Sequence, residues 1–156
     1  MADSPADRGA GDRADGHLRR EAMMTPEERR RFDDLLEEVL EEIPETIREL
    51  LDEVPVIVLD RPDAAMLADL GMPESEADEL CGLHTGTMAT ERSIDEAWRL
   101  PSQIHLFRVG IVAIAGGFDA DEAGESVKEQ IRITLLHEIG HEFGLDEDQL
   151  WDLGYN

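Results

Sequence analysis

Two histidines and the glutamate that follows the first impose the strongest constraint on how this chain can fold. His137, Glu138 and His141 form the pattern His-Glu-x-x-His in a chain of 156 residues that has only five histidines. Residues four apart lie one above the other on an α-helix, so two imidazoles at this spacing can reach a single metal ion. Glu138 then points to one side, where its carboxylate can take a proton from a water molecule held on the metal. The spacing predicts a helix that carries a zinc site and its own general base.

The residues before this pattern also indicate a helix. Residues 130–136 contain neither Gly nor Pro, and an apolar stripe recurs every four positions. The stripe consists of Val127, Ile131, Leu135 and Ile139. The face beside the stripe holds His137 and His141 together with Gln130, Ile133 and Thr134. We therefore expect one flank of the helix to pack on a core while the histidines face a cleft; the alternative is an ordinary helix with two surface histidines.

A catalytic zinc site needs a third protein ligand and an open position for water. The acidic residues after His141 are Asp146, Glu147, Asp148 and Asp152. Gly144 can adopt the left-handed conformation that ends a helix and turns the chain back, which would carry Glu147 beneath the metal. Asp146 followed by Gln149 also resembles a capping box of a short last helix. Glu147 is the first candidate for the third ligand, and Asp148 and Asp146 remain alternatives.

Residues 137–155 resemble the small bacterial zincin-like metallopeptidases, also called minimal zincins. The shared pattern is His-Glu-x-x-His-x-x-Gly-Leu-Asp-x-Asp-x-Leu-x-x-Leu-Gly-Tyr. Upstream, in the same order as in that family, lie the similar segments 25–32 (TPEERRRF), 80–86 (LCGLHTG), 90–93 (TERS) and 104–108 (IHLFR). The likeness covers about residues 25–156. The chain departs from the family pattern at Glu147, where Asp is usual, and at His84, where Tyr is usual.

The resemblance implies a compact α+β domain, in which a small mixed sheet packs against the His-Glu-x-x-His helix and an N-terminal amphipathic helix. It also implies one zinc ion held by His137, His141 and Glu147, and hydrolysis of a peptide or protein substrate with Glu138 as general base. Two other functions remain open. A non-catalytic zinc-binding module would keep the ligands. A metal-dependent endoribonuclease would use a related His-x-x-x-His pattern, which lacks a glutamate at the place of Glu138.

The charge balance bears on partners and compartment. The chain has 38 acidic and 14 basic residues and a net charge of −24, which repels phosphate backbones and anionic membrane surfaces. We therefore expect neither nucleic acid nor a membrane as partner, and no apolar run approaches the roughly 18 residues of a membrane span. Cys81 is the only cysteine and cannot form an internal disulfide, which suits a reducing cytoplasm.

The remaining pattern predicts the order of the elements. Residues 1–22 are rich in Asp, Arg, Ala and Gly and lack the apolar stretch of a secretory signal, so we expect a disordered tail before a single domain over residues 23–156. The element expected next is an amphipathic helix with a capping box at Thr25 and Glu28, followed by a short helix over 45–51 and a buried strand over 54–59. A long loop over 61–101 should then contain a short helix near 75–80. The last element before the metal-binding helix is a strand over 103–109 that could continue to 115.

Four further expectations concern substrate binding. In zincins an edge strand beside the metal helix pairs with an extended substrate, and residues 103–109 are the candidate for that role, with an ordinary structural strand as the alternative. His84 and His105 are single histidines in apolar surroundings, and each could contact the metal or the substrate. The alternative for both is a histidine that is packed in the core or lies at the surface. Tyr155 could donate a hydrogen bond to an oxyanion, although packing of the C-terminal aromatic residues is the commoner role.

Overall fold

The computed structural model describes residues 23–86, 101–121, 123–144, 146 and 148; the tail expected over residues 1–22 lies outside them. The α-helices are α1 (Pro26–Glu42), α2 (Glu45–Glu53), α3 (Ala64–Leu70), α4 (Arg108–Ile114) and α5 (Glu125–Glu142). The strands are β1 (Val56–Leu59), β2 (Gly82–Thr85) and β3 (Gln103–Phe107). Two short 3-10 helices span Glu74–Glu79 and Phe118–Ala120.

Helix α1 begins where the sequence predicts. The Thr25 side chain accepts a hydrogen bond of 3.1 Å from the backbone N–H of Glu28, and the Glu28 carboxylate accepts one of 3.1 Å from the backbone N–H of Thr25. This reciprocal pair completes the capping box. The buried face of the helix consists of Phe32, Leu35, Leu36 and Val39. The expected N-terminal amphipathic helix is confirmed, and it packs on α5.

The three strands form a mixed sheet in the order β1-β3-β2. Strand β3 pairs in parallel with β1 and antiparallel with β2. Its side chains alternate, so Ile104 and Leu106 are buried in the core that also contains α5, while His105 and Phe107 face the opposite side of the sheet. A small mixed sheet against α5 and α1 is the predicted α+β fold.

Strand β3 is an ordinary structural strand, and neither the substrate-pairing edge position nor the continuation to residue 115 is found. The strand is not an edge strand, because β1 lies on one side of it and β2 on the other. Of the two outer strands of the described sheet, β2 is the one that lies next to α5. Nor does the strand continue beyond Phe107, where its pairing with β1 ends. Beyond Phe107 the backbone N–H of Val109 donates to the carbonyl of Asp60 at 3.0 Å, and the apolar run otherwise forms its backbone hydrogen bonds internally as α4.

The loop expected over residues 61–101 contains two elements that the sequence analysis missed. Helix α3 begins after Asp63, whose side chain accepts a 2.8 Å hydrogen bond from the backbone N–H of Met66, and ends at Gly71 with φ of 67°. Both are ordinary helix signals. The second missed element is β2. The short helix expected near residues 75–80 is present as the first 3-10 helix.

Helix α5 lies at the centre of the core. The predicted apolar stripe is buried throughout: Val127, Ile131, Leu135 and Ile139 are at most 6% exposed. These side chains pack with the buried face of α1 and with Ile104 and Leu106 of β3. In the part of the chain that the structure describes, no helix combines the length and apolarity needed to cross a membrane.

A cluster of charged side chains joins α1 to the carboxyl ends of β1 and β3. Asp60, just after β1, accepts hydrogen bonds from Arg29 at 2.7 Å and from Arg108 at 3.0 Å, and Arg108 also donates to Asp33 at 2.9 Å. Burial by itself would raise the pKa of Asp60, but the hydrogen bonds from the two guanidinium groups outweigh it and hold that pKa below its usual range.

We expect Asp60→Asn to lower the free energy of unfolding by about 2 kcal/mol at pH 7, because a charged acceptor shared by two guanidinium groups is lost. Because the folded-state pKa is lowered, the stabilising effect of Asp60 is complete above its unfolded pKa of about 3.9 and is lost as the pH falls through the folded value. Urea unfolding at pH 7 and at pH 3 measures the effect, and the difference from wild type should shrink at pH 3. Asp52→Asn, at an exposed position of α2, is the control. An equal difference at both pH values would contradict an electrostatic origin.

Candidate active site

Helix α5 holds the metal-binding pattern in its last two turns. Its amino end is fixed by Asp121, whose carboxylate accepts hydrogen bonds from the backbone N–H groups of Glu125 at 2.7 Å and Ser126 at 2.9 Å. The helix then runs unbroken to Glu142, which places the two histidines of the pattern on one face. Gly144 follows with φ of 76°, the left-handed conformation that the sequence predicts there.

The two imidazoles converge on one point. Nε2 of His137 and Nε2 of His141 are 3.1 Å apart, and the rings meet edge to face with centroids 4.7 Å apart. Zinc binds imidazole nitrogen at about 2.0 to 2.1 Å in tetrahedral geometry, which sets two such nitrogens roughly 3.3 Å apart. The pair therefore fits a single divalent ion with a small adjustment of the rings. The helix predicted for this segment is confirmed, and the rings are turned toward each other.

Glu138 lies beside this pair and is only 7% exposed. One ligand atom from each of His137, Glu138 and His141 can be chosen so that all lie within 4.8 Å of one another. The sequence places the Glu138 side chain on the flank of α5, and the structure turns that flank toward β2. A carboxylate in this place can accept a proton from a water molecule next to the imidazoles.

Gly82 of β2 makes room for that carboxylate. A Cβ atom at this position would lie 2.8 Å from Cγ2 of Thr134, 3.1 Å from Cγ of Glu138 and 3.2 Å from its Oε1. Only glycine lets the strand approach the helix so closely. Sequence analysis did not single out Gly82, although a glycine inside a short strand is a signal of close backbone approach.

His84 and Glu142 form a second contact between β2 and α5. Nε2 of His84 lies 2.5 Å from Oε2 of Glu142, and the two side chains are 8% and 6% exposed. Glu142 is four residues after Glu138, so both acids lie on the flank of the helix that faces β2. Sequence analysis selected His84 but not its partner Glu142; the spacing from Glu138 was the available signal.

A cavity of about 550 Å³ opens between α5 and the segment that leads into β2. Its lining combines the titratable groups of the site with a set of apolar side chains. The lining residues are Leu70, Glu79, Leu80, Cys81, Gly82, Leu83, His84, Gln130, Ile133, Thr134, His137, Glu138 and His141. The face of α5 that the sequence analysis expects to border a cleft therefore does so.

Cys81 also borders the cavity. Burial, and to a lesser degree the nearby negative charge of Glu138, raises the pKa of its thiol to about 11. The thiol is therefore protonated at neutral pH, and it is a poor nucleophile in this environment.

The structure does not bring His105 to the cavity. It lies on the face of β3 opposite Ile104 and Leu106, stacked on Phe107 with ring centroids 6.4 Å apart. It is 5% exposed, and its Nδ1 has no hydrogen-bond partner among the described residues. Burial lowers its pKa, against a smaller opposing effect of Asp63. This geometry favours packing, which was the alternative to substrate binding.

The third metal ligand and the C-terminal aromatic residue remain predictions. Glu147 and Tyr155 lie outside the described residues. The two alternative ligands, Asp146 and Asp148, are described and are exposed.

We expect Gly82→Ala to lower the peptide hydrolysis expected from the sequence by at least about 10-fold while leaving bound metal unchanged, because the new methyl group displaces Thr134 and the Glu138 side chain but not the imidazoles. Metal content by elemental analysis and the rate of cleavage of a protein substrate measure the two effects. Gly71→Ala is the control for glycine replacement, since no atom lies within 4 Å of a Cβ there, although its φ of 67° makes some loss of stability expected. Full activity in Gly82→Ala would contradict the close contact.

We expect His105→Leu to raise the free energy of unfolding by about 1 kcal/mol at pH 7.5, because a buried nitrogen without a partner is removed. The gain should grow at pH 5.5. A His with a lowered folded-state pKa stays neutral while the unfolded chain takes up a proton below about pH 6.5, which destabilises the wild type. Thermal unfolding at both pH values tests this, with His105→Gln as the control that keeps a buried polar side chain but does not titrate in this range. A His105→Leu protein less stable than wild type at both pH values would contradict it.

None of the curated proteins compared with the chain matches it. A family model described as zincin-like metallopeptidase matches residues 51–155, about two thirds of the chain and the part that contains β1, β2, β3 and α5. Such a family implies zinc binding and peptide or protein substrates. The chain therefore belongs to the zincin-like metallopeptidase family.

Proposed function

We propose that the protein is a zinc-dependent peptidase in which His137 and His141 hold one zinc ion and Glu138 is the general base. The observation that supports this most strongly is the pair of imidazole nitrogens 3.1 Å apart beside a buried carboxylate, all at the wall of one cavity. Surface histidines on an ordinary helix would not be expected to converge on a point that also has an acid and an adjacent space for substrate.

The metal and the protein groups have separate parts in the proposed reaction. A bound zinc ion supplies Lewis acidity, which makes water more acidic and polarises a carbonyl group. Glu138 accepts the proton as the water attacks the peptide carbonyl, and it delivers the same proton to the nitrogen of the leaving amine when the C–N bond breaks. Burial between α5 and β2 holds the carboxylate in place for both transfers.

Other residues complete the proposed site. Glu147 is proposed as the third ligand, with Asp148 and Asp146 as the alternatives. An extended peptide would lie along β2, the edge strand of the described sheet that is next to α5. His84 lies on that strand, is held by Glu142 of α5, and would contact the peptide. Tyr155 would donate a hydrogen bond to the oxyanion. Since His105 faces away, we do not include it.

We expect Glu138→Gln to retain one zinc per chain and to lose about 10²- to 10⁴-fold in turnover, the range typical of a general base. His141→Ala should lose both zinc and turnover. Elemental analysis gives the zinc content, and mass spectrometry of a digested protein mixture at pH 7 gives the turnover. Glu37→Gln, the same chemical change at an exposed position of α1, is the control and should behave as wild type.

Equal turnover in the wild type and in Glu138→Gln would refute the catalytic role of Glu138. Stoichiometric zinc in the wild type without cleavage of any peptide would instead favour a non-catalytic zinc-binding module of the same fold.

A further inference from the structure

We propose that an apolar wall of the cavity selects substrates with a large apolar side chain close to the cleaved bond. The apolar wall consists of Leu70, Leu80 and Ile133, which come from α3, from the segment entering β2 and from α5. This inference rests on the proposed function, because it names the substrate class of the same site.

The apolar wall lies close to the reacting groups. Ile133 is one turn before His137 on the same face of α5, a rise of roughly 6 Å. Strand β2 runs in the same direction as α5, since Gly82 lies next to Thr134 and Glu138, and His84 next to Glu142. Leu80 therefore lies on the Ile133 side of Gly82. Consecutive peptide residues are about 3.8 Å apart and a large apolar side chain extends further from the backbone, so a side chain against Ile133 belongs to a residue close to the cleaved bond.

The exposure of Leu70 also indicates a ligand. Among the described residues, the large exposed apolar side chains are Met23, Leu70, Ile114 and Phe143, and Leu70 is the one that borders the cavity. Its side chain is 41% exposed, and an occupant of the cavity would cover apolar surface there that water now contacts. A cavity of about 550 Å³ is large enough for a leucine or phenylalanine side chain with its flanking backbone.

Charge restricts the occupant further. The carboxylates of Glu79, at an exposed position, and of Glu138, which is buried, both line the cavity. An acidic side chain from the substrate would meet these like charges and a net charge of −24 on the chain as a whole. The occupant that fits is therefore uncharged and apolar, and aspartate or glutamate at that position is disfavoured.

Binding of small amino-acid hydroxamates to the zinc-loaded protein tests the inference without requiring turnover. Isothermal titration with the hydroxamates of leucine, phenylalanine, glycine and aspartate gives the affinities. We expect the leucine and phenylalanine compounds to bind about 10- to 100-fold more tightly than the glycine compound, the effect of burying one such side chain. The aspartate compound should bind most weakly. Equal affinities for the leucine and glycine compounds, or no binding of any of them, would overturn the inference.

Two variants locate the preference within the cavity. Leu70→Ser and Ile133→Ser should each reduce the preference for leucine over glycine by at least about threefold. Leu70 is half exposed, so Leu70→Ser is expected to fold. Ile114→Ser, which changes an exposed isoleucine outside the cavity lining, is the matched control and should keep the full preference. A preference unchanged in Leu70→Ser would refute the assignment to this wall.

Cleavage products provide a second reading. In a digest of a denatured protein mixture, the residues that flank the cuts should be enriched in Leu, Ile, Met or Phe on one side, and this enrichment should fall in Leu70→Ser. Cleavage with no such enrichment would overturn the specificity while supporting the peptidase. An absence of cleavage together with a hydroxamate preference would instead support the apolar wall and count against the peptidase, so the two failures are distinguishable.

Discussion

The close approach of β2 to helix α5 at Gly82 is the contact on which the site depends. The strand passes so near that a single methyl group at this position would collide with Thr134 and touch Glu138. This approach buries Glu138 beside the imidazoles, brings His84 within 2.5 Å of Glu142 and leaves the cavity on the side of Leu80 and Ile133. A wider spacing between β2 and α5 would expose the Glu138 carboxylate to solvent and separate His84 from Glu142.

Helix α5 serves the core and the site with different faces. One face carries the apolar stripe, which packs against α1 and the sheet and prevents the helix from rotating. The stripe consists of Val127, Ile131, Leu135 and Ile139. The face beside it presents the two imidazoles at a separation of 3.1 Å. The rigidity required of a metal site therefore comes from apolar burial on the neighbouring face. The Asp60 cluster, at the carboxyl ends of β1 and β3, holds the sheet to α1 through charge.

The elements with strong local signals could be predicted, and those that depend on distant partners could not. The capping box at Thr25 and Glu28 and the four-residue stripe of α5 identify two helices with their correct buried faces. Strand β2 has four residues and a weak pattern, and it exists because β3 pairs with it. The end of β3 at Phe107 is set by the end of its partner β1, which local sequence does not encode. Helix α3 is a different case, since its signals at Asp63 and Gly71 are local and were overlooked.

The sequence by itself determined that two imidazoles would share one helical face with a carboxylate beside them, because the period of the α-helix converts a spacing of four residues into vertical alignment. It also determined the fold class, through the resemblance that the family match bears out. Only the tertiary structure decided what lies opposite that face. The pairing of His84 with Glu142, the closeness of Gly82 to Glu138 and the apolar wall each join residues about 50 or more positions apart in the chain. Such contacts follow from the packing of β2 on α5, and packing depends on the whole core rather than on any local pattern.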